Sequence, residues 1–321
     1  MTPLAKKLPM LIRRLTTWLV LFLSLSALFF ANPIDLVGGE SENLRVGYSL
    51  GAFRAINPKD AQIAIEIWVS QIGRQGGMQF NKSEAHLFNN LSELIQAINN
   101  QKIDIVGLGS IDYLRIKNQV QLEPVLVTDY GGDYGNEYIL LAPKEFNIRN
   151  LSQLKGKKIF LHDRSAPIPL LWLRHLLKKH GLPGEDKFFS SYQEVSKASQ
   201  AILPVFFRQA DACIVSCRAF ETASELNPQI SQKLEAIITS PLYADCIFLF
   251  HKGYKSNNKK VFIDTAINLK KYPWGKQVMT LFQIDGFAPF KEAYLANVLT
   301  LMQESGKFEQ YKKKNLKGNK F

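Results

Sequence analysis

Cysteine and histidine are scarce in this sequence, and neither is arranged as a disulfide framework or a metal site. The 321 residues include three cysteines and five histidines. If Cys213 and Cys217 lay on one strand, they would share a face at roughly 13 Å, too far apart for a disulfide bond. The histidines are scattered, without the spacing of metal ligands. We therefore expect free thiols, no metal and no cofactor.

Motifs for nucleotide binding and for nucleophilic catalysis are missing as well. Residues 129–136 contain three glycines, but no Gly-Lys-Ser/Thr follows them, so they are not a phosphate-binding loop. Glycines among polar residues indicate a loop or a crossover instead. No Ser–His–Asp or Cys–His arrangement is evident, which argues against an enzyme. The sequence also has no nucleic-acid-binding motif, and we expect no nucleic-acid partner.

Acidic residues are absent from the first 31 positions. Four basic residues (Lys6, Lys7, Arg13 and Arg14) precede residues 15–30, a run without charge. A basic flank followed by an apolar stretch is typical of a secretory signal, and this run is also long enough for an uncleaved membrane anchor. We expect an exported protein in which residues 1–31 are either a signal peptide or an N-terminal anchor.

Positive charge predominates over the whole chain. The net charge is +12, with 40 Lys and Arg against 28 Asp and Glu. This excess favours an anionic small ligand, an anionic membrane surface or nucleic acid as partner. The 46% hydrophobic and 21% charged composition is that of an ordinary globular protein, and the length allows two domains.

Short apolar runs alternate with helical patterns along the chain. Residues 44–48 and 158–161 are predicted strands, and each is followed by a loop and a helix; residues 187–190 also read as a strand. Such alternation predicts an α/β fold with parallel sheets. The loop after residue 161 is a candidate anion site, because a helix start offers unpaired N–H groups and a partial positive charge. An ordinary turn that binds nothing is the alternative.

Two segments of the chain echo one another. Residues 97–107 and 204–214 each combine a helix end, a Gln beside a basic residue, an Asp and a strand. Taken as a repeat, they predict two similar α/β lobes, each with its own sheet. The chain would cross between the lobes near residues 129–137 and 240–246.

Several segments resemble periplasmic solute-binding proteins of phosphonate/phosphate-type ABC transporters. The segments are LRVGYS, SELIQAINNQKIDIVGLGSIDYL, NEYILLAPKEFNIRNLSQLKGKKIFL, SKASQAILPVFFRQADACIV and SPLYADCIFLF. The resemblance implies a two-lobed α/β fold, the type 2 periplasmic-binding-protein fold, with a ligand cleft between lobes joined by two crossovers. Residues 44–133 and 246–321 would form lobe 1, and residues 134–245 would form lobe 2.

The resemblance also implies where the ligand lies. In the family an oxyanion is held at the helix start after the LKGKKI strand, here Ser165-Ala166-Pro167, where only Ser165 keeps a hydroxyl. Asp245 matches an acid that holds the amine of aminophosphonates, whereas Arg218 lies near the expected position of the second acid. An aminophosphonate is therefore disfavoured.

The other candidates come from the same comparison and from side-chain chemistry. Arg164 or Arg218 could grip an oxyanion with two hydrogen bonds, the alternative being a surface ion pair. Ser110 and Tyr192 would face the cleft, or else cap a helix and a core. The predicted ligand-binding residues are Ser110, Tyr134, Asn136, Arg164, Ser165, Ala166, Tyr192, Arg218 and Asp245.

The function implied is that of a non-catalytic, monomeric periplasmic protein that captures a small anionic ligand for import. The ligand would be a phosphonate-like or phosphate-like oxyanion, and the partner an ABC permease. The alternative is a sensory receptor of the same fold, tethered to the inner membrane by an uncleaved leader. An enzyme of this general fold, such as one that makes the thiamine pyrimidine, is the third hypothesis.

Overall fold

A computed structural model describes residues 43–49, 58–78, 80, 82–162 and 167–304. Its strands, numbered in chain order, are β1 Leu44–Ser49, β2 Ser83–Phe88, β3 Ile105–Gly109, β4 Leu122–Asp129, β5 Gly135–Asn136, β6 Tyr138–Pro143, β7 Lys158–His162, β8 Ser191–Val195, β9 Ala212–Ser216, β10 Leu234–Thr239, β11 Tyr243–Ala244, β12 Cys246–His251 and β13 Gly286–Pro289.

The helices alternate with these strands for most of the chain. They are α1 Pro58–Gly76, α2 Leu91–Asn99, α3 Ser110–Ile116, α4 Ile168–Lys179, α5 Glu185–Phe188, α6 Ala198–Phe206, α7 Cys217–Leu226, α8 Gln229–Lys233, α9 Asn258–Ile267, α10 Pro273–Phe282 and α11 Ala296–Glu304. Short 3₁₀ turns cover Lys144–Phe146, Leu151–Leu154, Leu269–Lys271 and Glu292–Leu295.

Two separate sheets organise the described residues. The first has six strands in the order β13-β4-β12-β3-β1-β2, and the second has five in the order β10-β6-β9-β7-β8. Strands β5 and β11 form a third, two-stranded ribbon, with Asn136 opposite Tyr243. This ribbon lies where the chain passes from the first sheet to the second and where it returns. The predicted two-lobed α/β fold is confirmed.

Both sheets are mixed, so the prediction of parallel sheets is wrong. Strand β1 pairs in parallel with β2 and β3, but β12 is antiparallel to β3 and β4. In the second sheet β7 is parallel to β8 and β9, whereas β6 is antiparallel to β9 and β10. The reversed strands are β12 and β13 in the first sheet and β6 in the second, and β6 and β12 each directly follow one of the two crossings. A second prediction is also wrong: residues 187–190 are not a strand, since helix α5 ends at Phe188 and β8 begins at Ser191.

The echo between the two halves of the sequence has a structural basis. Asp104 donates its N–H to Arg45 O and accepts the Arg45 N–H at 2.8 Å, which ties the entry to β3 to the start of β1. Asp211 makes the same two bonds with Lys158, at the entry to β9 and the start of β7. One aspartate therefore locks the same strand pair in each sheet.

The apolar core is continuous between the two sheets on one side. Helix α11 packs against both α3, which follows β3 of the first sheet, and α4, which follows β7 of the second. Its buried residues Val298, Leu301 and Met302 belong to the same cluster as Leu108 and Trp172. Since the ends of this cluster lie on different sheets, α11 limits how far the sheets can move apart on that side.

Candidate functional site

One large cavity, of about 1640 Å³, is lined by residues from both sheets. Several lining residues stand at or just beyond strand ends: Gly109 at the end of β3, Ser216 at the end of β9 and Asp245 before β12. Ligands of open α/β sheets bind outside strand ends, in the crevice that the loops surround. This position makes the cavity the candidate ligand site.

The wall of the cavity includes a small polar cluster around Asp245. Tyr130 donates its hydroxyl to Asp245 Oδ2 at 2.5 Å, and Asn136 donates Nδ2 to the same oxygen at 3.4 Å. Asp245 also accepts through its backbone, since Ser110 N donates to its carbonyl at 2.7 Å. The cluster therefore joins both crossover segments to the loop that follows β4.

A second group of charges lies beside this cluster. Arg218, the second residue of α7, pairs with Asp285 (Nη1 to Oδ2, 2.6 Å), and its guanidinium lies 5.8 Å from the centre of the Tyr130 ring. Lys270 pairs with Asp129 at 3.1 Å, and Asp285 N donates to Asp129 O. The arginine comes from the second sheet and both carboxylates come from the first, so the ion pair spans the cavity.

The pairing changes the acidity of these groups. Burial and the neighbouring Asp245 carboxylate raise the pKa of Tyr130 well above its ordinary value, so the phenol stays protonated. The hydrogen bond from Arg218 lowers the pKa of Asp285, and the same bond raises the pKa of Arg218. At neutral pH, Tyr130 is therefore a neutral donor and Arg218 and Asp285 are both charged.

Positive charge exceeds negative charge on the described wall of the cavity. Four cationic side chains line it (Lys197, Arg218, Lys270 and Lys276), against the two carboxylates of Asp245 and Asp285. Among the described residues, Lys197 and Lys276 have no acidic partner, unlike Arg218 and Lys270. The wall therefore favours an anion.

Aromatic side chains of the first sheet's buried core also border the cavity. Tyr48, Trp68, Phe248 and Phe287 line it from β1, α1, β12 and β13, and Phe282 joins them from the end of α10. Trp68 stacks on Phe287 at 5.5 Å and meets Phe248 edge to face at 5.5 Å. These rings lie close together because alternate strand residues project from the same face of the first sheet onto α1.

Three of the predicted ligand-binding residues line the cavity and three others lie elsewhere. Asn136, Arg218 and Asp245 are on its wall. Ser110 is fully buried and donates Oγ to Ala244 O at 2.6 Å, so it holds the crossover strand. Tyr134 stacks on Tyr294 at 4.0 Å, outside the residues that line the cavity.

Tyr192 is not on the wall of the cavity either. It lies on β8, at the edge of the second sheet, and packs against the same core cluster as Trp172. The structure thus places it as a cap on that core, which was the alternative reading of this residue. The remaining candidates, Arg164, Ser165 and Ala166, lie outside the described residues.

The sequence analysis did not identify several residues of the candidate site. Tyr130, Asp285, Lys270 and Trp68 all line the cavity. Tyr130 belongs to the glycine-rich segment that was identified as a crossover, and this was a usable signal. No sequence signal marked Asp285 or Lys270, because an ion pair can be recognised only when both of its members are known.

The described residues show no centre for metal chemistry. Within them no group of three His, Cys, Asp or Glu side chains is placed to hold a metal ion. All three cysteines are free thiols, and burial raises the pKa of Cys217 to about 11. None of the described helices combines the length and the apolar character needed to cross a membrane.

Comparison with known families identifies the chain. Residues 50–295 match the family described as the periplasmic substrate-binding protein of the phosphonate ABC transporter. The chain belongs to this family. Membership implies a periplasmic location, a small-molecule ligand and a membrane permease as partner. The resemblance found in the sequence is therefore confirmed.

Solved structures agree on the fold. A binding protein of an ABC phosphonate transporter from Pseudomonas aeruginosa is 17% identical, with a TM-score of 0.58 over 83% of this chain and 87% of that one. A protein from Prochlorococcus marinus, solved with methylphosphonate, is 15% identical, with a TM-score of 0.59 over 82% and 98%. A Xanthomonas citri protein solved with ATP is 13% identical, with a TM-score of 0.61 over 86% and 100%. No curated protein matches the chain.

Proposed function

We propose that this substrate-binding protein captures a phosphonate-type oxyanion in the cavity between its two sheets and delivers it to an ABC permease for import. The observation that carries the proposal is the excess of cationic over acidic side chains on the described wall. Among them, Lys197 and Lys276 have no acidic partner in the described part of the chain, so their field is available to an incoming anion.

The hydrogen-bond donors of the polar cluster would orient the ligand, which the positive charge of the wall alone would not do. Tyr130 is a neutral donor, Asn136 offers an amide, and Arg218 keeps guanidinium N–H groups beyond the one that binds Asp285. Oxyanions are well matched by several such donors from different elements. The Prochlorococcus marinus protein of the same fold was solved with methylphosphonate, which is consistent with this chemistry.

We further propose that the protein acts without catalysis. Its three thiols are poor nucleophiles because burial raises the pKa of each. Turnover of any bound ligand that Cys217→Ala abolishes would contradict this proposal.

We divide the two lobes at the ribbon β5–β11, with residues 44–133 and 246–321 in lobe 1 and residues 134–245 in lobe 2. The lobes would close on the ligand as a hinge closes. Small-angle scattering tests this closure: saturating ligand should reduce the radius of gyration, and an unchanged value would contradict it.

A thermal-shift and calorimetry screen of the full chain tests the ligand class. The panel is phosphate, phosphite, methylphosphonate and methanesulfonate, with dimethyl methylphosphonate as the uncharged control. A ligand that binds the folded state raises the melting temperature by mass action. We expect at least one oxyanion to bind and the uncharged ester not to bind; equal affinity for the ester and its anion would overturn the proposal.

Variants that remove positive charge test whether the lysines of the cavity wall attract the oxyanion. Lys197→Gln with Lys276→Gln should raise the Kd of the oxyanion and reduce its dependence on salt. The matched control, Lys155→Gln with Lys252→Gln, removes two exposed lysines that do not line the cavity and should leave the Kd unchanged. Loss of ligand uptake in a deletion strain would favour transport over the sensory-receptor alternative, which stays a prediction.

A further inference from the structure

A carboxylate of the chain itself occupies the arginine of the candidate site. Arg218 Nη1 lies 2.6 Å from Asp285 Oδ2, and both residues line the cavity. Their side chains are 46% and 35% exposed, so a ligand in the cavity can reach each of them. Because a carboxylate and an oxyanion ligand bind the same guanidinium N–H groups, Asp285 lies where part of the ligand would bind.

Asp285 is held less firmly than the two neighbouring carboxylates. Asp245 accepts two hydrogen bonds from neutral side chains, and Asp129 accepts one from a backbone N–H in addition to its lysine partner. In the described part of the chain, the Asp285 carboxylate has Arg218 as its only ion-pair or hydrogen-bond partner. A ligand therefore has to break a single contact to displace it.

The backbone keeps Asp285 in place when its side chain is displaced. Asp285 N donates to Asp129 O at 2.8 Å, and Gly286, the next residue, lies opposite Asp129 in the pairing of β13 with β4. The carboxylate therefore stays within reach of Arg218 and can pair with it again once the ligand has left.

An oxyanion bound to Arg218 would also lie beside the polar cluster. The guanidinium is 5.8 Å from the centre of the Tyr130 ring, and the hydroxyl of that ring binds Asp245. The position that Asp285 holds on Arg218 is therefore part of the same site that the proposed ligand would use.

The carboxylate opposes the binding of an anion at this position. Two anions beside one guanidinium repel each other, so the ligand either displaces the Asp285 carboxylate or binds next to its charge. Both routes reduce affinity. The reduction is only several-fold, because the ion pair is exposed and the displaced carboxylate returns to water and not to a buried position.

We propose that Asp285 sets the affinity of the site, because its carboxylate occupies Arg218 in place of the ligand and must yield when an oxyanion binds. This inference rests on the proposed function, since it assumes that an oxyanion binds in this cavity. Its consequence is a weaker complex than the donors of the site would otherwise form, and a weaker complex releases its ligand to a permease more readily.

Calorimetry on the full chain tests the inference, with methylphosphonate and methanesulfonate as probes. Asp285→Asn removes the charge at nearly constant shape, and the melting temperature of the variant shows that it is folded. We expect this variant to lower the Kd of the probes about two- to fivefold, which is the range for the loss of an exposed ion pair.

Two further variants separate this contact from the general charge of the wall. Glu221→Gln removes the same charge from an exposed residue one turn along α7 from Arg218, outside the residues that line the cavity, and should leave both Kd values nearly unchanged. In an Arg218→Gln background, where binding is expected to be weaker, Asp285→Asn should no longer tighten it.

The outcomes distinguish this inference from the proposed function. If the probes bind and Asp285→Asn does not lower their Kd, the inference fails and the proposed function stands. The inference also fails if Glu221→Gln tightens binding equally, or if the gain from Asp285→Asn is the same without Arg218. If no oxyanion of the ligand screen binds the folded wild type or the folded Asp285→Asn variant, the proposed function fails and the inference fails with it.

Discussion

Arg218 Nη1 lies 2.6 Å from Asp285 Oδ2, and this ion pair joins the two sheets across the cavity. Arg218 follows β9 of the second sheet, and Asp285 precedes β13 of the first. The sheets are also joined by the apolar contacts of α11, whose residues do not line the cavity. The sheets are therefore joined by an ion pair at the candidate site and by apolar contacts elsewhere. Only the ion pair contains a group, the Arg218 guanidinium, for which an anion can compete.

We expect this ion pair to be weak in free energy and sensitive to ligand. The side chains are 46% and 35% exposed, so a double-mutant cycle with Arg218→Ala and Asp285→Ala should give a coupling of about 0.2–1 kcal/mol in urea unfolding. Saturating oxyanion should change this coupling, because the ligand competes for the same guanidinium. The pair Lys259–Glu123, at 2.6 Å and away from the cavity, is the control and should not change.

Asp285 should also make stability dependent on pH in the acid range. Its pKa is lowered in the folded protein by the hydrogen bond from Arg218. Its contribution is therefore full above the unfolded-state pKa of about 4 and is lost as the pH falls through the folded-state pKa. The difference in unfolding free energy between the wild type and Asp285→Asn should shrink between pH 5 and about pH 2. A difference that stays constant over this range would contradict the assignment.

The two aspartates at the strand entries should have unequal effects on stability. Asp104 is 7% exposed and binds both the N–H and the guanidinium of Arg45, so Asp104→Ala should cost about 2–4 kcal/mol. Asp211→Ala should cost about 1–2 kcal/mol, because its side chain is 25% exposed. Urea unfolding measures both, with the exposed Asp264→Ala as the control.

Gly107 should not tolerate a side chain. A Cβ there would lie 2.3 Å from a carbon of the Tyr48 ring, on the opposite strand. Gly107→Ala should destabilise the protein by about 1–3 kcal/mol, because the buried Tyr48 ring must shift. Gly109→Ala, on the same strand with open space around it, should stay within about 0.5 kcal/mol. Equal losses would show that the Tyr48 ring is not the cause.

Local patterns were sufficient for the position of most elements but not for strand direction. The strand that begins at Leu44 and the helix after it lie where the alternation of apolar runs and helical patterns predicts them. Residues 187–190 were misread because one short apolar run fits a strand or a helix equally well. The antiparallel pairing of β12 could not be predicted, since it depends on how the chain re-enters the first sheet.

Of the six predicted ligand-binding residues that lie within the described part of the chain, three line the cavity. Asn136, Arg218 and Asp245 line the cavity, whereas Ser110 and Tyr134 are used for hydrogen bonding and ring stacking inside the protein. The type of a residue shows what it can bind, but a hydroxyl or a ring serves equally well as a structural contact. Only its neighbours in space decide between these roles.

The sequence by itself determined that two α/β lobes form, because helix and strand periods and a repeated Asp are local properties; its excess of basic residues predicts an anionic ligand. The tertiary structure alone decided that Arg218 faces Asp285 and that Trp68 stacks on Phe287 in the core of the first sheet. These contacts join segments that lie far apart along the chain. They exist only once the chain has crossed twice between its sheets, and no periodicity encodes which residues then meet.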